Sequence, residues 1–174
     1  MEPDPVPGHP TPGMSVWGWM SPTELEWLRA TATTMESVAE IGALHGRSST
    51  ALLEGCDGPV YCVDPWNDAD GYCLPSFMRS CGHYPNLRPI QGYSPHVIAD
   101  YDIPDVDMVF IDGAHDTASV RADIEGWLPK CRRMICGHDY IEDGGFPDVY
   151  PTVNEYFGDR VLVAPDTAIW YVTL

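Results

Sequence analysis

Residues 38–50 read VAEIGALHGRSST: an apolar run closing at Glu40 and Ile41, then Gly42 and Gly46, an arginine and three hydroxyl residues. Glycine weakens helices and strands alike, by about 0.5–1 kcal/mol against alanine. Glycines at this density therefore mark a backbone turn that must bend tightly or let something approach closely. Downstream, SSTALLEG has the composition of a helix stopped at Gly55. Strand, glycine turn, helix is the opening half of a βαβ unit.

The same alternation continues outward on both sides. Before the turn, Ser21 and Glu24 form a Ser-x-x-Glu capping box, with Leu25, Leu28 and Ala32 following at helical spacing. After it come strand segments in VYCVDPW, LRPIQGYS, VDMVFIDGAH and RRMICGHDY. Pro89 places the LRPIQ strand toward an edge. Ser94 is expected to cap a short helix reaching about Ala99, and TASVRADIEGWL and DVYPTVNEYFG read as two further helices. RVLVA and AIWYVTL flank Pro165-Asp166-Thr167 and read as an antiparallel closing hairpin. Residues 66–86 carry no clear periodicity. The strands are continuously apolar rather than alternating, which indicates a parallel sheet covered by helices on both faces.

Composition sets limits. At 174 residues the chain fits one domain over residues 15–174, and the Pro- and Gly-rich residues 1–14 read as a flexible arm. Nine basic against 26 acidic residues give a net charge of −17, which opposes binding to nucleic acid or to an anionic membrane. Residues 1–14 lack the basic and apolar regions expected of a secretory leader, and no apolar run reaches spanning length. Six cysteines without a CxxC pair suggest reduced thiols in a cytoplasmic setting. Cys73, Cys81 and His83 supply only part of a zinc set.

In a doubly wound sheet, ligands sit beyond the carboxyl ends of the strands. Those ends carry Glu40, Gly42, Gly46 and Ser48; Asp64; Gly92, Tyr93 and Ser94; Asp112 and His115; and His138 and Asp139. Gly42 and Gly46 let the chain pass close to a ligand, and the helix after them offers free N–H groups to an anionic group. Asp64 can accept hydrogen bonds from a ribose diol. The glycines are too widely spaced for a dinucleotide fingerprint, and no phosphate-loop lysine is present. A phosphate-free nucleoside therefore fits best, which points to S-adenosylmethionine. An NAD or nucleotide-sugar enzyme on the same architecture is disfavoured by the glycine spacing.

The segments VAEIGALHGRSSTALLE, VYCVDPW, VDMVFIDGAHDTASVRADIEGWLP and ICGHDY together resemble the class I S-adenosylmethionine-dependent methyltransferases, from about residue 35 to 158. The most similar subgroup is the small-molecule O-methyltransferase-like set. The resemblance implies a Rossmann-like α/β fold whose seven-stranded sheet has the order 3-2-1-4-5-7-6 and an antiparallel last strand. It implies that Glu40, Gly42 and Ser48 contact the methionine part of the cofactor, that Asp64 holds the ribose, and that Gly92–Ser94 lie by the adenine. Relatives of the macrolide-sugar and catechol types bind Mg²⁺ through acids at the positions of Asp112 and Asp139, and His115 matches a catalytic base. His138 stands where some of these relatives carry an acid, so Asp112, His138 and Asp139 form the candidate metal set. Trp66, Tyr72, Phe77, Tyr140, Phe146 and Tyr150 are the aromatic residues available to line an acceptor pocket. A small hydroxylated molecule is the expected acceptor. The competing reading is a non-catalytic S-adenosylmethionine-binding module or partner subunit, and the apolar segments IWYVTL and ELEWL could support a homo-oligomer.

Overall fold

Strand β1 (Val38–Ile41) is four residues long and wholly buried. In the computed structural model, which describes residues 11–174, it is an inner strand, third from one edge of a seven-stranded sheet. The other strands are β2 (Val60–Asp64), β3 (Leu87–Gln91), β4 (Val106–Ile111), β5 (Cys131–Gly137), β6 (Leu162–Val163) and β7 (Trp170–Thr173). Their order is β3-β2-β1-β4-β5-β7-β6, the expected one. The first five strands run parallel, while β7 is antiparallel to both β5 and β6. Pro89 does sit on the edge strand β3.

Successive side chains of a strand face opposite ways, so a sheet covered on both sides needs apolar residues at every position. Val38, Met108 and Phe110 enter one core with Leu25, Leu28, Leu52 and Phe77. Ala39, Ile41, Val109 and Ile111 enter the other with Ile124, Trp127 and Val153. The first core lies under α1 (Pro22–Ala32), α2 (Arg47–Gly55) and α3 (Cys73–Cys81), the second under α4 (Ser94–Asp100), α5 (Thr117–Trp127) and α6 (Val149–Phe157). Fully burying one such leucine or isoleucine contributes about 2 kcal/mol.

The capping box at the start of α1 forms in both directions: Ser21 Oγ accepts from the Glu24 amide, and Glu24 Oε2 accepts from the Ser21 amide. Ser94 does not cap α4. It is the first residue of the helix, after Tyr93, and its Oγ turns inward to accept from Trp127 Nε1 at 2.7 Å. Residues 66–86 hold α3, which has no capping side chain at its own N-cap. Its first amides are met instead by Asp68, which accepts from Tyr72 and Cys73.

Residues 1–10 of the expected flexible arm lie outside the described residues, and the arm does not extend through residue 14. Met14 is buried, and a Cβ on Gly13 would lie 2.2 Å from the Arg47 carbonyl oxygen. The buried Arg47 side chain ties this segment down, donating to the carbonyls of Val16 (2.7 Å) and Met20 (2.8 Å). The apolar C-terminal segment is core rather than free surface, because Ile169, Trp170 and Val172 are buried within the chain itself. All six cysteines are free. Cys81 packs under Gly46 and Cys73 lies 4.0 Å from His45, so no zinc set forms with His83. Among the described residues no helix is long and apolar enough to cross a membrane.

Gly42 carries the tightest constraint at the centre of the sheet. Its φ is +93°, and an added Cβ would sit 2.0 Å from the Asp112 carbonyl oxygen. Gly42→Ala is expected to cost at least about 2 kcal/mol from the left-handed backbone and the backbone clash together, read as a lowered denaturation midpoint with an unchanged m-value.

Candidate functional site

The ends of β1, β2, β4 and β5, with the loop after β3, surround one cleft of about 830 Å³. Gly42 and Ser48 form its floor, and Asp64 and Gly92–Ser94 one end. Asp112, His115, His138 and Asp139 line another part of it. The cleft thus gathers most of the strand-end residues singled out in the sequence, but two of these are left out.

Glu40 is fully buried and does not face the cleft. It lies behind it, accepting from Ser48 Oγ at 2.5 Å and from Ser49 Oγ. Burial raises its carboxyl to about 7, against the bonds from Ser48, Ser49 and Cys62. Glu40, expected to face a ligand, thus stands one hydroxyl behind the cleft surface, with Ser48 between. Gly46 is also absent from the lining. It is the N-cap of α2 with φ +93°, and an added Cβ would meet Cys81 Sγ at 2.5 Å, so its role is helix packing.

Asp64 is the best-organised acid. Its Oδ2 accepts from the Leu44 amide at 2.9 Å and its Oδ1 from the Trp66 amide at 2.7 Å. These bonds fix the carboxylate at the rim, although burial still raises its pKa. Leu44 and Trp66 both adopt positive φ, 44° and 40°, although neither is a glycine. Such backbone costs of order 1–3 kcal/mol and tends to be kept where a site needs it.

The acid–histidine cluster lies after β4 and β5. His115 Nε2 is 2.9 Å from Asp139 Oδ2 and 3.8 Å from Asp112 Oδ1, an ion-pair distance without a well-aligned hydrogen bond. The two carboxylates raise His115 to about 9 against its partial burial. His138 Nε2 meets Glu24 Oε1 at 3.0 Å, and its Nδ1 lies 3.3 Å from Asp139 Oδ1. Burial opposes charge on His138, but Asp139, Glu24 and Asp112 outweigh it and raise the ring to about 11. Asp139 is held far below the usual carboxylate range, burial being outweighed by the two histidines, and its φ is 58°. Asp112, His138 and Asp139 each present a ligand atom within 4.8 Å of the others.

Sequence reasoning did not find three parts of the lining. Residues 17–20 form a wall, with Trp17 and Trp19 in edge-to-face contact at 4.5 Å. Arg47 anchors that wall. Asp123 of α5 is buried at the cleft surface, and burial raises it to about 6 against a hydrogen bond from Ser94. Of the aromatic candidates only Phe146 lines the cleft, stacked on His115 at 3.9 Å. Trp66 packs on Phe77 in the core, Tyr140 packs on Tyr150, and Tyr72 stands exposed.

With this geometry in place, the comparisons fix the family. Residues 39–140, more than half of the chain, match the family model described as a methyltransferase domain, and the chain belongs to that family. A search of curated proteins found no significant match. Among solved structures, the O-methyltransferase of Bacillus cereus in complex with S-adenosylhomocysteine is similar at TM-score 0.66 and 20% identity, covering 90% of this chain and 83% of that one. The O-methyltransferase TomG of Streptomyces achromogenes, in complex with S-adenosylmethionine, matches at TM-score 0.67 and 16% identity, over 89% of this chain and 81% of the other. CalS11, a TDP-rhamnose 3′-O-methyltransferase of calicheamicin biosynthesis, matches at 0.63 and 12%, over 86% and 76%. At these identities the likeness is one of fold.

The Glu24–His138 pair gives a pH prediction. The pair and the amides of Ser21 and Ala168 outweigh burial and lower Glu24 to about 2. A depressed acid stabilises the fold above its unfolded pKa of about 4.5 and loses that contribution as pH falls toward 2. A raised histidine stabilises below its unfolded pKa of about 6.5 and loses that contribution as pH climbs toward 11. Glu24→Gln is therefore expected to cost most, about 3 kcal/mol, between pH 4.5 and 6.5. The difference from the parent should shrink on either side, as read by urea midpoints across pH.

Proposed function

We propose that the protein is an S-adenosylmethionine-dependent O-methyltransferase acting on a small hydroxylated acceptor. The observation that carries the reading is Asp64, a carboxylate held by two backbone amides at the rim of a glycine-floored cleft. Two acceptor oxygens in fixed orientation suit the two hydroxyls of a ribose. Ser48 and His45 would meet the amino-acid end of the cofactor. His45 Nδ1 is buried without a hydrogen-bond partner and is available to it. At the other end, Gly92–Ser94 would flank the adenine, where Asp123 can accept from its exocyclic amine.

Asp112 and Asp139 would hold a divalent cation, with His138 joining them once its ring gives up the Nδ1 proton facing Asp139. When bound, the cofactor supplies the methyl group and the metal a Lewis acid for the acceptor hydroxyl. The chain's own residues position the acceptor oxygen and manage its proton. His115 is the proton-holding group, next to both carboxylates. While those carboxylates carry no other cation they keep His115 protonated, so it accepts a proton only when their charge is neutralised. The base and the cation site would therefore work as one unit. Positioning by the cleft walls supplies much of the rate. Six free thiols and the acidic composition fit a reducing, cytoplasmic setting.

Isothermal calorimetry with S-adenosylhomocysteine tests the reading. Micromolar binding is expected, and Asp64→Asn should weaken it about 10- to 100-fold by removing a charged acceptor. No detectable binding at millimolar ligand would sink the proposal.

A further inference from the structure

Resting on the methyl-transfer reading, we infer that Trp66, which does not line the cleft, is a positioning residue that sets the ribose-binding carboxylate of Asp64. The Trp66 side chain is buried and packs on Phe77 with ring centroids 4.7 Å apart. Packing accounts for the ring but not for its nitrogen. Nε1 donates to the Leu44 carbonyl at 2.8 Å, a bond that spans 22 residues and joins the loop after β1 to the loop after β2. Leu44 in turn donates its amide to Asp64 Oδ2 at 2.9 Å, and the Trp66 amide donates to Asp64 Oδ1 at 2.7 Å. The three residues close a ring of hydrogen bonds. Both backbone polar groups of Leu44 are held, its N–H by the acid and its C=O by the indole.

The backbone shows what this ring of bonds works against. Leu44 and Trp66 sit at φ 44° and 40°, in the left-handed region. A residue with a Cβ stays there only where its surroundings over-determine the conformation. For Leu44 those surroundings are the two bonds just described. Without the indole donor the Leu44 carbonyl is free to turn, and the residue can relax to negative φ. That relaxation swings its amide off Asp64 Oδ2. A carboxylate left with one amide can rotate, and it no longer presents both oxygens to a ribose diol in one orientation. Phenylalanine at position 66 would fill much of the same core space but carries no N–H, so it separates positioning from packing.

Calorimetry on the parent and on Trp66→Phe tests the inference, with S-adenosylhomocysteine and its 2′,3′-dideoxy analogue as the two ligands. Trp66→Phe is expected to bind S-adenosylhomocysteine about 10-fold more weakly, the equivalent of about 1.4 kcal/mol. It should bind the dideoxy analogue as the parent does, because that ligand has no diol for Asp64 to hold. A purely structural loss would weaken both ligands alike. A second measurement needs no variant. Exchange of the Trp66 indole proton, followed by NMR in the parent, is expected to slow at least about 10-fold when S-adenosylhomocysteine saturates the protein, since the ligand would fix Asp64 and through it Leu44. Unchanged affinity of the variant for S-adenosylhomocysteine, equal weakening of both ligands, or an indole exchange rate that the ligand leaves unaltered would overturn the inference. A parent that binds no S-adenosylhomocysteine at millimolar ligand would instead overturn the reading beneath it, so the two failures are distinguishable.

Discussion

The site depends on one buried interaction, the carboxylate of Glu40 gripped by the hydroxyls of Ser48 and Ser49. A carboxyl at the end of a central strand has no water to meet it, and its burial is costly unless it is hydrogen-bonded. The first turn of the next helix answers with two hydroxyl donors. This pins the start of α2 against the end of β1. Between the two fixed points the chain must travel through Gly42 and Gly46 in the left-handed region. The turn is thereby forced outward over Asp112 on one side and Cys81 on the other. The glycines, the hydroxyls and the acid are one mechanical unit, and the space it leaves open is the floor of the cleft.

The same unit shows what a sequence can disclose. Strand identity, the parallel sheet and the positions of the strand ends were legible, because a doubly covered sheet needs unbroken apolar runs and its ligand face follows from topology. The sheet order came from the family resemblance. Glu40 and its partners Ser48 and Ser49 all lie within one short stretch, but the residue that packs against Gly46 lies in another part of the chain. Cys81 is 35 residues beyond Gly46, and no local pattern announces that contact. Helix α3 was hidden for a related reason: its amides are satisfied by Asp68 from outside the helix, so the usual start signal is missing. The wall at residues 17–20 was obscured by composition. Proline and glycine made the N-terminus resemble a loose arm, whereas Arg47 reaches back and binds its carbonyls. Asp123 falls inside an ordinary amphipathic helix, and nothing in its spacing separates it from a solvent-facing acid.

Histidine pairing in the cluster follows from the charge balance around it. Asp112 and Asp139 bring two carboxylates close together at the end of adjacent strands, and such groups repel unless cations intervene. His115 and His138 supply that charge from within the chain. Glu24, reaching in from α1, in turn fixes His138 and also accepts from the Ala168 amide beside β7. Three separate parts of the fold therefore converge on one imidazole. The consequence is a site that is already electrostatically satisfied before any ligand enters.

That satisfaction limits the chemistry. An imidazolium between two carboxylates is a poor base, because giving up its proton would leave their repulsion unmatched. The barrier falls only if positive charge arrives from outside to take its place. A divalent cation would do this at the carboxylates, and the sulfonium of the methyl donor would do part of it from the floor of the cleft. In the proposed reaction, proton uptake by His115 would therefore be coupled to occupancy of the site. Such an arrangement would keep the base inert in the empty cleft and make it competent when both reactants are held. Removing Asp139 alone would not mimic that state, since it would lower the His115 pKa while also freeing the ring that Phe146 stacks against, and orientation would be lost together with charge.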